Sequence, residues 1–196
     1  MSKQVDNSNP ERKIFLRNKF IEKSDSVLDL FCGNGIIYKS CYSENKYFGV
    51  DKNKIHNNSI CVISDNKQFI RSNDVSEYDI FDLDDYGCPY FIMTMILKKL
   101  SPINKTYKFF ITDGSILHYN LSGKFDGIIQ KSEKLTAKSK IKFAGRFTID
   151  VFLSFLNKSS FSLSFVLTNI YYIFNSKHSV CYMYFSISPE PKGRHE

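Results

Sequence analysis

The sequence predicts an α/β protein in which a seven-stranded, mostly parallel sheet carries helices on both faces and ends in an antiparallel hairpin. Short apolar runs alternate along the chain with segments long enough to cross over between parallel strands. The last two runs are joined by only four residues, 175–178, and a connection of that length joins antiparallel neighbours. Together these observations indicate a doubly wound, Rossmann-like sheet with a C-terminal hairpin.

Seven apolar runs have the length and the polar boundaries that are typical of strands. Three of the segments between them are predicted as crossover helices, at 36–43, 89–100 and 146–158. A further helix is expected to begin at Pro10, because proline suits the first turn of a helix, and to cover one edge of the sheet. The predicted strands are 27–31, 46–50, 67–70, 78–83, 108–112, 162–174 and 179–187.

The chain has 196 residues, 42% of them hydrophobic, which is enough apolar material for the core of one domain. Residues 10–190 are predicted to form that single domain, with a basic insertion at about 120–145 and disordered tails at 1–9 and 191–196. No segment approaches the roughly 18 apolar residues of a membrane span, and residues 1–13 lack the apolar stretch of a secretory signal. We therefore expect a soluble, cytoplasmic protein with no membrane partner.

The five cysteines are an odd number, include no C-x-x-C pair and lie mostly within apolar runs. A reduced thiol in such a run behaves as a small hydrophobic side chain. The sequence therefore predicts no disulfide and no structural zinc. The four histidines show no metal-ligand spacing, so no other metal site is predicted.

The net charge of +7 is unevenly distributed, with −2 on residues 1–90 and +9 on residues 91–196. Lysines that neutralise phosphates release counterions and raise affinity without sequence preference, so the second half is predicted to contact a nucleic acid. The alternative is a lysine-rich surface that only keeps the protein in solution. The basic residues of the insertion that would make the contact are Lys124, Lys131, Lys134, Lys138, Lys140, Lys142 and Arg146.

The loop after the first strand has the sequence FCGNG. Ligands of open parallel sheets bind at the carboxyl ends of the strands, and Gly33 and Gly35 would let the backbone turn sharply and approach a ligand closely. Asp29, within the strand, could hold a loop amide or a cationic group. Asp51 ends the next strand, at a spacing that suits hydrogen bonds to both ribose hydroxyls. Loop and carboxylate together predict a site for an adenosine.

The segments VLDLFCGNG and YFGVD resemble the first two motifs of class I S-adenosylmethionine-dependent methyltransferases. The resemblance implies S-adenosylmethionine as the cofactor. It also implies a contact between the adenine amine and the end of the third strand, for which Asp74 is preferred over Asn73; a cap on the following turn is the alternative for Asp74. The predicted cofactor-binding residues are Asp29, Phe31, Gly33, Gly35, Asp51, Lys52 and Asp74.

The fourth predicted strand runs into the segment DLDDYGCP, which resembles the D-L-D-P-F-G-S-P of tRNA guanine-N2 dimethyltransferases. Methylating an exocyclic amine needs a polar acceptor for its N–H and an aromatic ring that stacks on the base. The predicted catalytic residues are therefore Asp84 and Tyr86. Asp85 stands where that family has proline, and the family's RNA-binding domain has no counterpart here. We accordingly expect a helper protein or an RNA-binding subunit as a partner.

Three hypotheses for the function follow. The first is an amino-methyltransferase that acts on guanine in tRNA or another RNA. The second keeps the fold and the chemistry but takes adenine or cytosine amines of DNA as the substrate. The third is a non-catalytic descendant that retains the fold as a binding or partner module, and Asp85 is the residue that favours it.

Overall fold

The computed structural model describes residues 10–53, 61–85, 87–115, 165–175 and 180–191. The described chain contains two regular α-helices of ten or more residues, a shorter one, and one π-helix between β1 and β2. In chain order the elements are α1 (Pro10–Phe20), β1 (Ser26–Asp29), the π-helix (Tyr38–Tyr42), β2 (Lys46–Asp51), β3 (Cys61–Ile63), α2 (Asn66–Ser72), β4 (Ile80–Leu83), α3 (Tyr90–Lys99), β5 (Tyr107–Asp113), β6 (Phe165–Phe174) and β7 (Cys181–Pro189).

The described strands form one sheet of seven in the order β3-β2-β1-β4-β5-β7-β6. β1 to β5 are parallel, β7 runs antiparallel to β5, and β6 runs antiparallel to β7. The strand order reverses between β1 and β4, so the carboxyl ends of these two strands border a crevice in which ligands of such sheets bind. The seven-stranded mixed sheet and the C-terminal hairpin are confirmed.

The third predicted strand is wrong. Residues 67–70 lie in α2, and the strand beside β2 is Cys61–Ile63. Asp65 explains the helix, because its Oδ1 accepts the N–H groups of Lys67 and Gln68 at 3.0 Å and so caps the first turn. Two adjacent apolar residues, Phe69 and Ile70, can be buried in a helix as readily as in a strand, so their presence did not distinguish the two.

The other helix predictions have three outcomes. The helix predicted at 89–100 is α3 (Tyr90–Lys99), and a helix does begin at Pro10, although it packs on the inner strands β4 and β5 and not on an edge of the sheet. Within 36–43 the chain forms the π-helix instead of a regular crossover helix. The helix predicted at 146–158 and the insertion at 120–145 lie outside the described residues, as do the tail residues 1–9 and 192–196.

Alternate residues of the central strands belong to two separate cores. One core joins Phe81 and Phe109 to apolar side chains of α3 such as Met93. The other joins Ile80 and Phe110 to Leu16 of α1. Since neighbouring residues of a strand point to opposite sides of a sheet, the two cores lie on opposite faces. None of the helices in the described ranges is long and apolar enough to cross a membrane.

Candidate functional site

The loop after β1 lies across the carboxyl edge of the sheet. The N–H of Leu30 donates to the carbonyl of Asp82 on β4, and the N–H of Cys32 donates to the carbonyl of Val50 on β2. The chain then turns at Gly33 and Gly35, whose φ angles of +50° and +76° fall in the region that favours glycine. The predicted sharp turn is therefore formed directly above the crevice between β1 and β4.

Asp51 at the end of β2 holds this loop in place. Its Oδ2 accepts the N–H of Gly33 at 3.1 Å, and its Oδ1 accepts the N–H of Asn53 at 2.9 Å. Each carboxylate oxygen has two lone pairs, so each keeps one for a ligand. Lys52 follows with an exposed side chain. The structure thus brings Asp51 and Gly33 together, as the sequence indicated, whereas their role in binding stays a prediction.

Gly49 on β2 is a residue that the sequence reasoning missed. A Cβ at this position would lie 2.9 Å from the Cβ of Cys32 and 3.0 Å from the hydroxyl oxygen of Tyr47. No side chain fits between the loop and the strand without moving one of them. The glycine is needed because the loop after β1 packs directly on the β2 backbone.

The prediction of five reduced cysteines needs a correction. Cys32 of the first loop and Cys61 of β3 are joined in a disulfide, with their Cα atoms 6.7 Å apart. The two residues are 29 positions apart in sequence, but the loop crosses over β2 and so reaches the start of the neighbouring strand. Spacing along the chain could not reveal this proximity, because the third strand itself was misplaced. Cys41, Cys88 and Cys181 form no disulfide with another described residue.

Asp29 lies at the end of β1 with its carboxyl group buried below the loop. Its Oδ1 accepts the N–H of Phe31 at 3.0 Å, and its Oδ2 accepts the hydroxyl of Tyr47 at 2.8 Å. Burial, together with the neighbouring carboxylate of Asp82, raises the pKa of Asp29 to about 8. Asp29 therefore carries a proton in the folded protein at neutral pH, and it holds the loop through a backbone amide as expected.

Asp82 is the register partner of Asp29 on β4 and is completely buried. Arg17 of α1 donates to both of its carboxylate oxygens, through Nε at 2.6 Å and Nη2 at 2.5 Å. The hydroxyl of Tyr42 adds a third hydrogen bond at 2.6 Å. Burial of the phenol raises the pKa of Tyr42, and the neighbouring carboxylate of Asp82 raises it further. A bidentate arginine is the form in which a buried carboxylate is best compensated.

Asp84, the predicted catalytic acceptor, lies just beyond β4 and is also paired. Lys13 of α1 donates to Oδ1 at 2.5 Å and to Oδ2 at 2.7 Å, and the side chains of lysine and aspartate are 3% and 7% exposed. The hydroxyl of Thr112 at the end of β5 donates to Oδ1 at 2.7 Å. Burial lowers the pKa of Lys13, and the carboxylate opposes that shift. The sequence reasoning identified Asp84 but neither of its partners.

The signal that could have found these partners is the composition of α1. Lys13 and Arg17 are spaced by four residues and alternate with the apolar Ile14 and Leu16, so one helix face carries charge where the core should be. Residues four apart share a helix face, and both are buried here. A pair of cations on the inward face of a helix predicts buried carboxylates opposite it.

The segment TDGS at 112–115 divides between the two faces. Thr112 reaches Asp84, whereas Asp113 is buried on the other side, where it accepts the hydroxyl of Tyr90 at 2.7 Å. The N–H of Gly114 donates to the carbonyl of Gly87 at 3.0 Å, which ties the end of β5 to the turn after β4. The ends of β4 and β5 are therefore held together beside the crevice.

A recess opens at this edge, between the first loop, the π-helix and β4. It spans about 270 Å³, a volume that includes open solvent. Two of its three wall carboxyl groups are paired with Lys13 and Arg17, so Asp29, which can lose its proton, is the one that suits a cationic group of a ligand. The lining residues are Asp29, Phe31, Cys32, Gly33, Asn34, Ile36, Ile37, Asp82 and Asp84.

Asp74 does not belong to this site. It follows α2 and is exposed, and its carboxylate accepts the N–H of Ser76, which lowers its pKa. Its charged neighbour is Lys99 at the end of α3, and it influences Tyr107 at the start of β5, so it lies at the amino edge of the parallel strands. The prediction that Asp74 contacts the adenine amine is therefore corrected. At the carboxyl end of the observed β3 the chain has Ser64 and Asp65 instead.

Two further predictions cannot be placed. Tyr86 and the basic residues from Lys124 to Arg146 lie outside the described residues. Within the described ranges, no three histidine, cysteine, aspartate or glutamate side chains are grouped closely enough to hold a metal ion.

Solved structures resemble this fold over nearly its whole length. M. jannaschii TYW2, solved in complex with AdoMet, shares 12% sequence identity and superposes with a TM-score of 0.56, covering 95% of this chain and 79% of the other. The chain has the class I methyltransferase fold. The N-methyltransferase NodS from Bradyrhizobium japonicum WM9, in complex with S-adenosyl-L-homocysteine, gives a TM-score of 0.54 at 11% identity and covers 95% and 90% of the two chains.

A third match to this methyltransferase fold is a candidate rRNA methylase from Clostridium thermocellum. It shares 11% identity and a TM-score of 0.51, and the alignment covers 94% of this chain and 98% of the other. No protein-family model and no curated protein matches the chain in sequence. At these identities the similarity establishes the methyltransferase fold, and the sites must be argued from the residues themselves.

Proposed function

We propose that this protein is an S-adenosylmethionine-dependent methyltransferase that modifies an exocyclic amine of a nucleic-acid base, with guanine in tRNA or another RNA as the first candidate. The observation that carries the proposal is the meeting of the glycine loop, Asp51 and Asp84 at one carboxyl edge of the sheet. The fold has cofactor-bound neighbours, TYW2 with AdoMet and NodS with S-adenosyl-L-homocysteine.

The residues present fit such a cofactor by charge and by shape. S-adenosylmethionine carries a sulfonium and an amino group, and the recess below the loop is lined by Asp29, Asp82 and Asp84. Gly33 lines the recess, the buried Gly35 provides the turn that follows it, and the free lone pairs of Asp51 suit ribose hydroxyls. Phe31 lines the recess, and the exposed Lys52 follows Asp51 in the chain. The proton that Asp29 holds can leave when a cationic group binds beside it.

Asp65 takes the adenine role in this proposal in place of Asp74. It follows β3 at the carboxyl edge, and the N–H of Ser64 beside it donates to the carbonyl of Asp51 at 3.0 Å. Its Oδ1 caps α2, which leaves Oδ2 to accept an amine.

The chemistry asks little of the protein beyond positioning. When bound, the cofactor would supply an electrophilic methyl group to the lone pair of the target nitrogen, its sulfur would keep the electron pair of the broken S–C bond, and the surplus N–H proton would leave to solvent. Asp84 would accept one N–H of the amine and so aim the nitrogen lone pair. Tyr86 would stack on the base.

A nucleic-acid substrate is supported by charge and by one structural neighbour. Residues 91–196 carry +9, with seven basic side chains between Lys124 and Arg146. The Clostridium thermocellum protein of the same fold is a candidate rRNA methylase. A helper protein or an RNA-binding subunit would supply further contacts to the RNA.

The Lys13–Asp84 ion pair favours a second candidate, the non-catalytic binding module. A carboxylate that is paired and only 7% exposed could serve the fold alone. Transfer and binding assays separate this candidate from the enzyme.

The test is incubation of the purified protein with methyl-labelled S-adenosylmethionine and total tRNA, rRNA or duplex DNA, followed by nucleoside analysis. We expect a methylated guanosine in RNA, and we expect Asp84→Ala to abolish transfer while cofactor binding is retained. Label in DNA alone would select the second substrate class. Cofactor binding without any transfer would select the binding module.

A further inference from the structure

The distance between the two buried cations of α1 is similar to the distance between the two carboxylates at the end of β4. Lys13 and Arg17 are four residues apart on a helix, a rise of about 6 Å. Asp82 is in β4 and Asp84 is the residue just beyond its end, and two residues of extended chain rise by about 6.6 Å. Each cation therefore meets one carboxylate, Arg17 on Asp82 and Lys13 on Asp84.

The two ion pairs differ in how many hydrogen-bond acceptor positions remain free on the carboxylate. Arg17 uses Nε and Nη2 on Asp82 and Nη1 on the carbonyl of Lys13, and Tyr42 takes a further position on the same carboxylate. Asp84 receives two hydrogen bonds from Lys13 and one from Thr112. A carboxylate has about four acceptor positions, so one position on Oδ2 remains among the described residues.

Stability alone does not account for Lys13. Burying an ammonium group costs several kcal/mol, and apolar residues of similar volume commonly serve a fold as well as a buried ion pair does. The helix is already attached to this face by Leu16 and Arg17. Asp84, by contrast, lines the recess and needs a fixed direction if it is to orient an amine.

We propose that Lys13 is a positioning residue for methyl transfer, which fixes the Asp84 carboxylate so that its one remaining acceptor position faces the target amine. The inference rests on the proposed function. It makes α1 part of the site rather than a cover for the sheet. The amine would donate one N–H to Oδ2 of Asp84, and Lys13 would never contact the substrate.

The experiment compares Lys13→Met with wild type in RNA methylation, alongside titration with S-adenosyl-L-homocysteine. We expect kcat to fall about 100-fold, because misplacing a reacting group by about 1 Å has that effect, while KM for RNA and the cofactor dissociation constant change less than about 3-fold. Lys19→Met, exposed on the same helix, is the matched control and should leave all three unchanged.

Lys13→Arg covers the case in which Lys13→Met does not fold. It keeps the charge but presents a planar head group, so kcat should fall about 10-fold at an unchanged melting temperature. Wild-type kcat in Lys13→Met, or in Lys13→Arg if the former is unfolded, overturns the inference and leaves the proposed function intact. Wild-type protein that binds the cofactor but methylates no nucleic acid overturns both.

Discussion

On one face of the sheet, α3 covers the strands with apolar side chains such as Met93 and Ile96, whereas on the other face α1 covers them with Lys13 and Arg17. The first face gains stability from burial that needs no particular orientation. The second retains charges that are tolerated only because each has a partner in good geometry. The face with the more demanding chemistry is the one that borders the recess, and we infer that function, more than stability, maintains it.

The largest effect should follow from breaking the Arg17–Asp82 pair. Arg17→Met leaves Asp82 buried beside Asp29 with no cation, so the free energy of unfolding should fall by about 3–5 kcal/mol. Urea denaturation measures this change. The control is Lys23→Met, which removes an ion pair with Glu44 whose side chains are 87% and 67% exposed, and it should not shift the midpoint. An unchanged midpoint in Arg17→Met would show that the charged face is not held as described.

The apolar face should respond through packing instead. Phe109 is fully buried between Phe81 and Phe185, with ring centroids 5.1 Å and 4.8 Å away. Phe109→Ala should cost about 3–4 kcal/mol by the same measurement, because the cavity cannot close completely. Phe15→Ala, at a side chain that is 54% exposed, is the control and should cost far less. Equal costs at the two positions would contradict the assignment of the core.

The Cys32–Cys61 disulfide gives a third, smaller effect at the loop itself. Cys61→Ser should lower the free energy of unfolding by about 3 kcal/mol, since the cross-link restricts the unfolded chain. A reducing agent should produce the same change in wild type but none in Cys61→Ser. Cys41→Ser removes a free thiol and is the control. If non-reducing peptide mapping finds no link between Cys32 and Cys61, the sequence prediction that no disulfide forms was right.

The smallest effect concerns the proton on Asp29. The raised pKa of about 8 means that the folded state holds a proton which the unfolded chain has already released above about pH 4. Stability from this group is therefore present at low pH and is lost as the pH rises toward about 8. Relative to Asp29→Asn, which does not titrate, wild type should lose about 1 kcal/mol between about pH 6 and pH 7. A constant difference across that interval would mean that Asp29 is already ionised.

The sequence predicted the parts of the site that depend on local pattern. Gly33 and Asp51 meet because a strand, a glycine turn and the next strand fix their geometry within about twenty residues. β3 was misplaced because three residues give too weak a signal beside Phe69 and Ile70. Lys13 could not be joined to Asp84 from the sequence, since their contact spans 71 positions and depends on how α1 crosses the sheet.

In the proposed function, the loop at Gly33 and Asp51 binds S-adenosylmethionine. Calorimetric titration of the purified protein with S-adenosyl-L-homocysteine tests it most directly, with Asp51→Ala as the site variant and Asp74→Ala as the control at the opposite edge of the sheet. We expect micromolar binding that is lost in Asp51→Ala and retained in Asp74→Ala, with melting temperatures confirming that both variants are folded. No binding by wild type, or equal binding by all three proteins, would show that this loop is not the cofactor site.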